Sequence, residues 1–306
     1  MLPDYAMIEP TTVCNIDCVS CFRKELLSGG NITVGSLSVD GLKYTHSVLP
    51  GLKHIRFHGM GEFFLLKNHV EMIECLRSLY PIAWIELVTN GQYVNTEPKK
   101  IASLVDRVTF SMSGGDKASY ESFHTGGVWK TFVGNLHRFE KHASKLNLEV
   151  NYVCTLSNVG GIDKAVAFCA AAGVPKMRVN VYQDWLGKGN KNMAVNVQHV
   201  EAIKGAIKTG SLLGVSVVIV GNVDFDTASC LWMKERILIA HNGDVLPCCM
   251  RPDHSLSLGN INKDCIDDIW NKGKITEFRE LRSKHALDFC RNCPYHDNIE
   301  LLKGLL

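Results

Sequence analysis

Cys14-Asn15-Ile16-Asp17-Cys18-Val19-Ser20-Cys21 is a C-x3-C-x2-C run, followed at once by Phe22 and Arg23. Thiolates this close together can hold three corners of a cubane iron–sulfur cluster, because cysteine is the usual protein ligand to such clusters and a short loop wraps one face. The fourth iron then has no local cysteine and keeps an open position for a small molecule. On spacing alone, a zinc site or three unrelated core cysteines is the alternative. The sequence on either side has to decide between them.

Composition narrows the field. At 306 residues, 46% hydrophobic and 21% charged, the chain is long enough for one large domain and a smaller one. A formal net charge of +2 gives no electrostatic reason to expect nucleic acid or a membrane surface, and no basic patch interleaved with aromatics supports a nucleic-acid partner. No apolar run is long enough to span a bilayer. The twelve cysteines fall at spacings that suit metals, and Met1-Leu2-Pro3-Asp4 does not open a secretory signal. Disulfides are therefore the poorer reading, and a reducing cytoplasm is the expected setting.

Residues 1–185 alternate strand-like and helix-like segments, the pattern of βα units on a parallel sheet. The expected strands are Ala6–Glu9, His54–His58, Trp84–Asn90, Arg107–Ser113, Leu148–Thr155 and Met177–Tyr182. Helical patterns fall between them, as at Val70–Leu79 and at Lys164–Ala172, the latter stopped by Gly173 with Pro175 beyond. Six such units make an incomplete TIM-type barrel, an α/β fold. Val108, Phe110 and Met112 alternate with Thr109, Ser111 and Ser113; Met177, Val179 and Val181 alternate with Arg178, Asn180 and Tyr182; Ile55 and Phe57 alternate with Arg56 and His58. Helices cover the outside of a barrel, so the polar set is expected to face inward. Because an ordinary closed barrel is filled by branched apolar side chains, a polar lumen implies a bound ligand. An antiparallel sheet with one wet face is the alternative.

Turn motifs stand at the carboxyl ends of these strands, where barrels place their chemistry. They are His58-Gly59-Met60-Gly61-Glu62, Thr89-Asn90-Gly91 and Ser111-Met112-Ser113-Gly114. Gln183 to Ser229 opens with a glycine-rich stretch that reads as a linker, with a phosphate loop as the weaker reading, then a helical run near Val197–Leu213 and an apolar strand at Val215–Val220. The last quarter carries Cys230, a hairpin pattern from Ile237 to Cys249 with Asn242-Gly243 at its turn, and Cys290-Arg291-Asn292-Cys293. Four cysteines drawn from a hairpin and a distant C-x2-C can close one metal site, for which zinc competes with an iron–sulfur cluster. Cys75, Cys154 and Cys169 lie in apolar patterns and read as small core residues.

From Ile8-Glu9-Pro10-Thr11 to about Tyr295 the chain resembles the radical S-adenosylmethionine (SAM) enzymes, in the branch with a C-terminal SPASM or twitch extension. The resemblance implies a partial (β/α)6 barrel over 1–185, a bridging segment over 186–228, and a small cysteine-rich α+β domain over 229–306. It also implies that Cys14, Cys18 and Cys21 hold a [4Fe–4S] cluster whose open iron binds SAM. Gly59, Gly61 and Glu62 match the family's Gly-Gly-Glu motif near the SAM amino group, although Phe63 stands where a proline is common. Asn90, Ser111 and Ser113 are further expected SAM contacts, Ser113 replacing a frequent aspartate. Ser20 stands where relatives often have an aromatic residue. Cys230, Cys248, Cys290 and Cys293 match the ligands of one auxiliary [4Fe–4S] cluster; Cys249 and Cys265 are unassigned, and either could replace one of them.

The implied activity is reductive cleavage of SAM to a 5′-deoxyadenosyl radical that abstracts a substrate hydrogen. A fully ligated auxiliary cluster favours a net oxidation in which that cluster takes the remaining electron. The few residues before Cys14 leave no room for a leader-peptide-binding domain, which favours a small molecule or cofactor precursor over a peptide substrate. Peptide modification is the alternative, and a non-catalytic electron-transfer protein is the alternative of another class. A reductant such as flavodoxin or ferredoxin is an expected partner. Arg178 and Tyr182, inward by alternation, are the candidates to touch substrate.

Overall fold

The computed structural model describes residues 1–143, 145–182, 193, 199–220, 223–224, 229–249 and 251–284, with side chains omitted at 223–224 and 229–230. In chain order its strands are β1 (Tyr5–Ile8), β2 (Asp17–Cys18), β3 (His54–Phe57), β4 (Trp84–Thr89), β5 (Arg107–Ser111), β6 (His124–Thr125), β7 (Asn147–Cys154), β8 (Lys176–Val181), β9 (Ser216–Ile219), β10 (Val223–Asp224), β11 (Ser229–Cys230), β12 (Arg236–Ile239), β13 (Asp244–Leu246) and β14 (Gly259–Asn260). All six expected barrel strands form, each within a residue or two of its expected ends. Helices follow them as βα units require, among them His69–Leu79, Trp129–Glu140 and Ile162–Ala171.

Packing divides the described chain into two compact units. One holds Met1–Cys14, Phe22–Leu87 and the described residues from 222 onward; the other holds Asn15–Cys21 and Val88–Gly221. In the first unit β1 lies between β3 and β12, parallel to both, and β3 pairs in parallel with β4. From β12 the sheet continues antiparallel through β13 to β14. The expected hairpin is therefore present, its turn made at Gly243 with φ +89°, and it is joined to the amino-terminal strand. In the second unit β5, β7, β8 and β9 pair successively in parallel. The apolar strand expected in the bridging segment is thus the outer neighbour of β8, supported by the helix Val200–Leu213 before it. Its parallel pairing follows from that helix, which supplies the crossover.

Parallel pairing in both units rules out the antiparallel sheet with one wet face. In β8 Met177, Val179 and Val181 are buried while Lys176, Arg178 and Asn180 are half-buried. The polar side is tied together by charge. Glu149 on β7 is 3% exposed in its side chain and lies 3.2 Å from Arg107 Nε, 3.0 Å from Lys176 Nζ and 3.5 Å from Arg178 Nη1. In the first unit Arg56 Nε and Glu86 Oε1 stand 3.1 Å apart on adjacent β3 and β4. Cys154 and Cys169 are fully buried, and burial pushes both thiols up to about 12, as inert core cysteines should be. Cys75 is only half-buried.

Candidate metal and cofactor centre

Strand β1 leads through Glu9, Pro10, Thr11, Thr12 and Val13 into Cys14, and this lead-in is clamped on two sides. On one side Thr12 N donates to Gly35 O at 3.0 Å, Thr12 Oγ1 donates to Thr33 O at 2.8 Å, and Arg23 Nε donates to Thr12 O. On the other side lies the His58–Glu62 turn, where Gly61 N donates to Thr11 O at 3.0 Å and Glu62 N to Val13 O at 2.8 Å. A β-carbon on Gly61 would stand 2.5 Å from both of those carbonyl oxygens. Only glycine permits that approach. The glycine turn and the entry to the cysteine loop are one packed piece of backbone.

Glu9 completes this piece, and sequence reasoning missed it. Its carboxylate lies against Gly59, where a β-carbon would meet Glu9 Cγ at 2.2 Å, and its Oε1 accepts from Met60 N at 2.9 Å. Oε2 stands 3.1 Å from Nδ1 of His241, both side chains being 6% exposed. The amides of Met60, Gly61 and Glu62 are thus all directed at the chain itself. An ammonium group is a donor and calls for carbonyl oxygens, which a turn with inward amides can offer. Glu62 is 2% exposed, and its Oε1 accepts from Phe64 N at 3.2 Å, capping the short turn Phe63–Leu65. His58 is half-buried, and burial with the neighbouring Arg56 pushes it down to about 3.

In the second unit, residues 15–21 are held by the carboxyl ends of β4 and β5. Asn90, just after β4, donates from Nδ2 to Asn15 Oδ1 at 2.9 Å, while its Oδ1 accepts from Gln92 N at 2.9 Å. The two-residue ribbon of β2 and β6 pairs Cys18 with His124, and Cys21 N donates to Cys18 O at 3.0 Å. His124 closes the helix Lys117–Phe123, whose start is fixed by a reciprocal cap between Asp116 and Ser119. Burial pushes the His124 imidazole down to about 3. Ser113 is 1% exposed; its N donates to His124 Nε2 at 2.9 Å and its Oγ accepts from Val153 N at 3.1 Å. Ser111, two residues earlier, is half-buried at the end of β5.

Cys14, Cys18 and Cys21 are each half-buried. Cys14 belongs to the first unit and Cys18 and Cys21 to the second; the residue types and the C-x3-C-x2-C spacing are those that suit an iron–sulfur cluster. Among the described residues no three His, Cys, Asp or Glu side chains are gathered as a metal site. Of the auxiliary set, Cys248 lies half-buried beside Cys249 against a core of Met7, Trp232, Leu238, Ala240 and Leu246. For Cys230 the backbone alone is described, in β11, and Cys290 and Cys293 lie outside the described residues. Cys265 is exposed at the start of the helix Ile266–Asn271. Arg178 is held by Glu149, and Tyr182 is 6% exposed with its N donating to Cys154 O at 2.8 Å. No helix among the described residues is long and apolar enough to cross a membrane.

Residues 230–294 match the SPASM iron–sulfur cluster-binding domain. The S-adenosyl-L-methionine-dependent 2-deoxy-scyllo-inosamine dehydrogenase of Niallia circulans is 29% identical over 136 residues, 44% of this chain and 51% of the relative. The chain thus spans about half the length of that relative. A tungsten-containing aldehyde ferredoxin oxidoreductase cofactor-modifying protein of Pyrococcus furiosus is 23% identical over 330 aligned positions, covering 98% of this chain and 89% of the relative. Among solved structures, Streptococcus suis SuiB bound to precursor peptide SuiA superposes with a TM-score of 0.74 at 16% identity, covering 99% of this chain and 73% of SuiB.

Proposed function

We propose that this chain, whose residues 230–294 match the SPASM iron–sulfur cluster-binding domain, is a radical SAM enzyme that oxidises a small molecule or cofactor precursor by hydrogen abstraction. The observation that carries the reading is the packed unit of glycine turn and cysteine-loop entry, in which Gly61 and Glu62 donate to Thr11 and Val13 immediately before Cys14. Iron–sulfur clusters and SAM are its cofactors, and when bound they supply a 5′-deoxyadenosyl radical. The chain's own part is to bind and orient them. Cys14, Cys18 and Cys21 ligate the cluster with the open iron; the Gly59–Glu62 turn receives the SAM ammonium; Asn90 holds the cysteine loop through Asn15. Ser111 is a further SAM contact. Ser113 acts from behind, through its amide to His124 and its Oγ to Val153.

Cys230, Cys248, Cys290 and Cys293 would hold one auxiliary cluster, which would supply an electron acceptor there, and a small electron-transfer protein is the expected reductant. The Niallia 2-deoxy-scyllo-inosamine dehydrogenase supports an oxidation of a small molecule, and the Pyrococcus cofactor-modifying protein, with similarity along nearly the whole chain, supports a cofactor precursor. The SuiB complex favours a peptide as the second reading of the substrate. Arg178, steadied by Glu149, and Tyr182 are the candidates to meet substrate from the end of β8.

The test is anaerobic. Reconstituted protein is expected to hold about eight irons per chain, as two four-iron clusters require, and to form 5′-deoxyadenosine from SAM and dithionite. Cys14→Ala is expected to abolish 5′-deoxyadenosine and leave about four irons. Four irons that survive Cys14→Ala, with no SAM cleavage in the wild type, would overturn the reading. For Arg178, product formation unchanged in Arg178→Ala would remove it from the substrate site.

A further inference from the structure

His124 has a separate partner for each ring nitrogen. Nε2 lies 2.9 Å from the backbone nitrogen of Ser113, and Nδ1 lies 3.1 Å from the sulfur of Cys18, a residue 106 positions earlier in the chain. A backbone amide can only donate, so Nε2 must accept and carries no proton. The neutral ring then bears its single proton on Nδ1, where it points at the cysteine sulfur. The tautomer follows from the chemistry of the Ser113 amide.

That amide is itself fixed. Ser113 Oγ accepts from Val153 N, and Ser113 O accepts from Asn158 Nδ2 at 3.1 Å, so the carboxyl ends of β5 and β7 hold it in place. The imidazole is 2% exposed, with the rings of Tyr120 and Phe123 centred 4.6 Å and 5.2 Å away. Water cannot easily compete for the Nδ1 proton in such a place, and a charge-assisted hydrogen bond gains strength there.

We propose that His124 is a positioning residue that donates an Nδ1–H···Sγ hydrogen bond to the Cys18 thiolate and so raises the reduction potential of the cluster with the open iron. The proposal rests on Cys18 being a ligand of that cluster. Reduction adds negative charge to the cluster and its thiolates. A donor aimed at one of those sulfurs stabilises the reduced state more than the oxidised one, one of the levers by which a protein sets cluster potential. Loss of the donor makes the cluster harder to reduce and slows SAM cleavage at a fixed reductant poise.

Two substitutions separate this role from packing. His124→Gln places a side-chain oxygen where Nε2 stood, keeping an acceptor for Ser113 N but losing the donor to Cys18. His124→Asn places an amide nitrogen where Nδ1 stood, keeping the donor and losing the acceptor. In the reconstituted full-length protein, the cluster whose electron paramagnetic resonance signal changes on adding SAM is titrated for its midpoint potential. The midpoint is expected to move negative in His124→Gln and to stay near wild type in His124→Asn. Equal shifts in both, or none in either, would overturn the proposal. A wild-type protein with no SAM-responsive cluster would overturn the ligand reading, and the proposal with it. If neither variant keeps its iron, the wild type alone decides: ¹⁵N-histidine labelling is expected to convert a ¹⁴N hyperfine coupling of the reduced, SAM-responsive cluster into a ¹⁵N coupling, and the absence of any histidine ¹⁵N coupling would refute the hydrogen bond.

Discussion

At the residue scale, the glycines of the His58–Glu62 turn differ in what a side chain would cost. On Gly61 a β-carbon meets only backbone, 2.5 Å from Thr11 O and Val13 O and 2.8 Å from Val13 N. None of these atoms can rotate away. Gly61→Ala is therefore expected to destabilise the protein by about 1–3 kcal/mol or more and to disturb the entry to Cys14, read as a lower urea midpoint together with lost iron. On Gly134, within the helix Trp129–Glu140, a β-carbon meets nothing within 4 Å. There Gly134→Ala is expected to stabilise by about 0.5–1 kcal/mol, from helix propensity and a less flexible unfolded chain. His58 gives a pH dependence. Its ordinary value of 6.5 is lowered to about 3, first by burial and then by Arg56, so the folded state holds the ring neutral. A lowered histidine contributes stability that is whole above about pH 6.5 and erodes as the pH falls towards 3, by up to about 1.4 kcal/mol per unit. Urea midpoints of apo-protein between pH 7.5 and 5 should fall less steeply in His58→Asn; equal slopes would remove His58 from the account.

At the element scale, β5, β7 and β8 are stitched by one carboxylate. Arg107, Lys176 and Arg178 all lie within 3.5 Å of Glu149, whose side chain is 3% exposed. Removing it leaves cations facing one another in a confined space. Glu149→Ala is expected to cost about 3–5 kcal/mol, as breaking a buried ion pair does, whereas Arg107→Ala should cost less because Glu149 keeps two partners. Chemical denaturation of both variants checks the order. The alternation of Arg178 and Asn180 with Met177 and Val179 made the polar side of β8 legible in the sequence, because a strand turns every second residue the same way. The glycines after β3 were legible for a similar reason, since a close backbone turn needs that residue type. The ribbon of Asp17–Cys18 with His124–Thr125 was not. Two residues carry no periodicity, and the pairing partner lies more than a hundred positions away. Glu9 stood in plain view within Ile8-Glu9-Pro10-Thr11. Its role depends on His241 and Met60, which only the pairing of β1 with β3 and β12 brings together.

At the scale of the whole molecule, the SPASM region is part of the foundation of the amino-terminal strand rather than an appendage. Tyr5 to Ile8 pair residue by residue with Arg236 to Ile239, inside the matched 230–294 region. Met7 shares its core with Trp232, Leu238, Ala240 and Leu246, and Glu9 shares its carboxylate with His241. Ala6 and Ile8 are fully buried, with β3 on one side of β1 and β12 on the other. A chain ending at residue 221 would turn β1 into an edge, with unpaired amides and carbonyls beside an exposed apolar face. Lost burial and lost pairing together rival the roughly 5–15 kcal/mol by which a whole domain is stable. Such a chain is expected to aggregate, or to unfold without a cooperative transition, and to fail to hold iron at Cys14, Cys18 and Cys21. If residues 1–221 instead melted cooperatively and took up about four irons, the two cluster sites would be structurally separable. Retained structure with SAM cleavage but no product would then assign the auxiliary cluster to electron removal alone, whereas collapse of the shortened chain means that substitutions such as Cys290→Ala, rather than deletions, are needed to ask what the auxiliary cluster does.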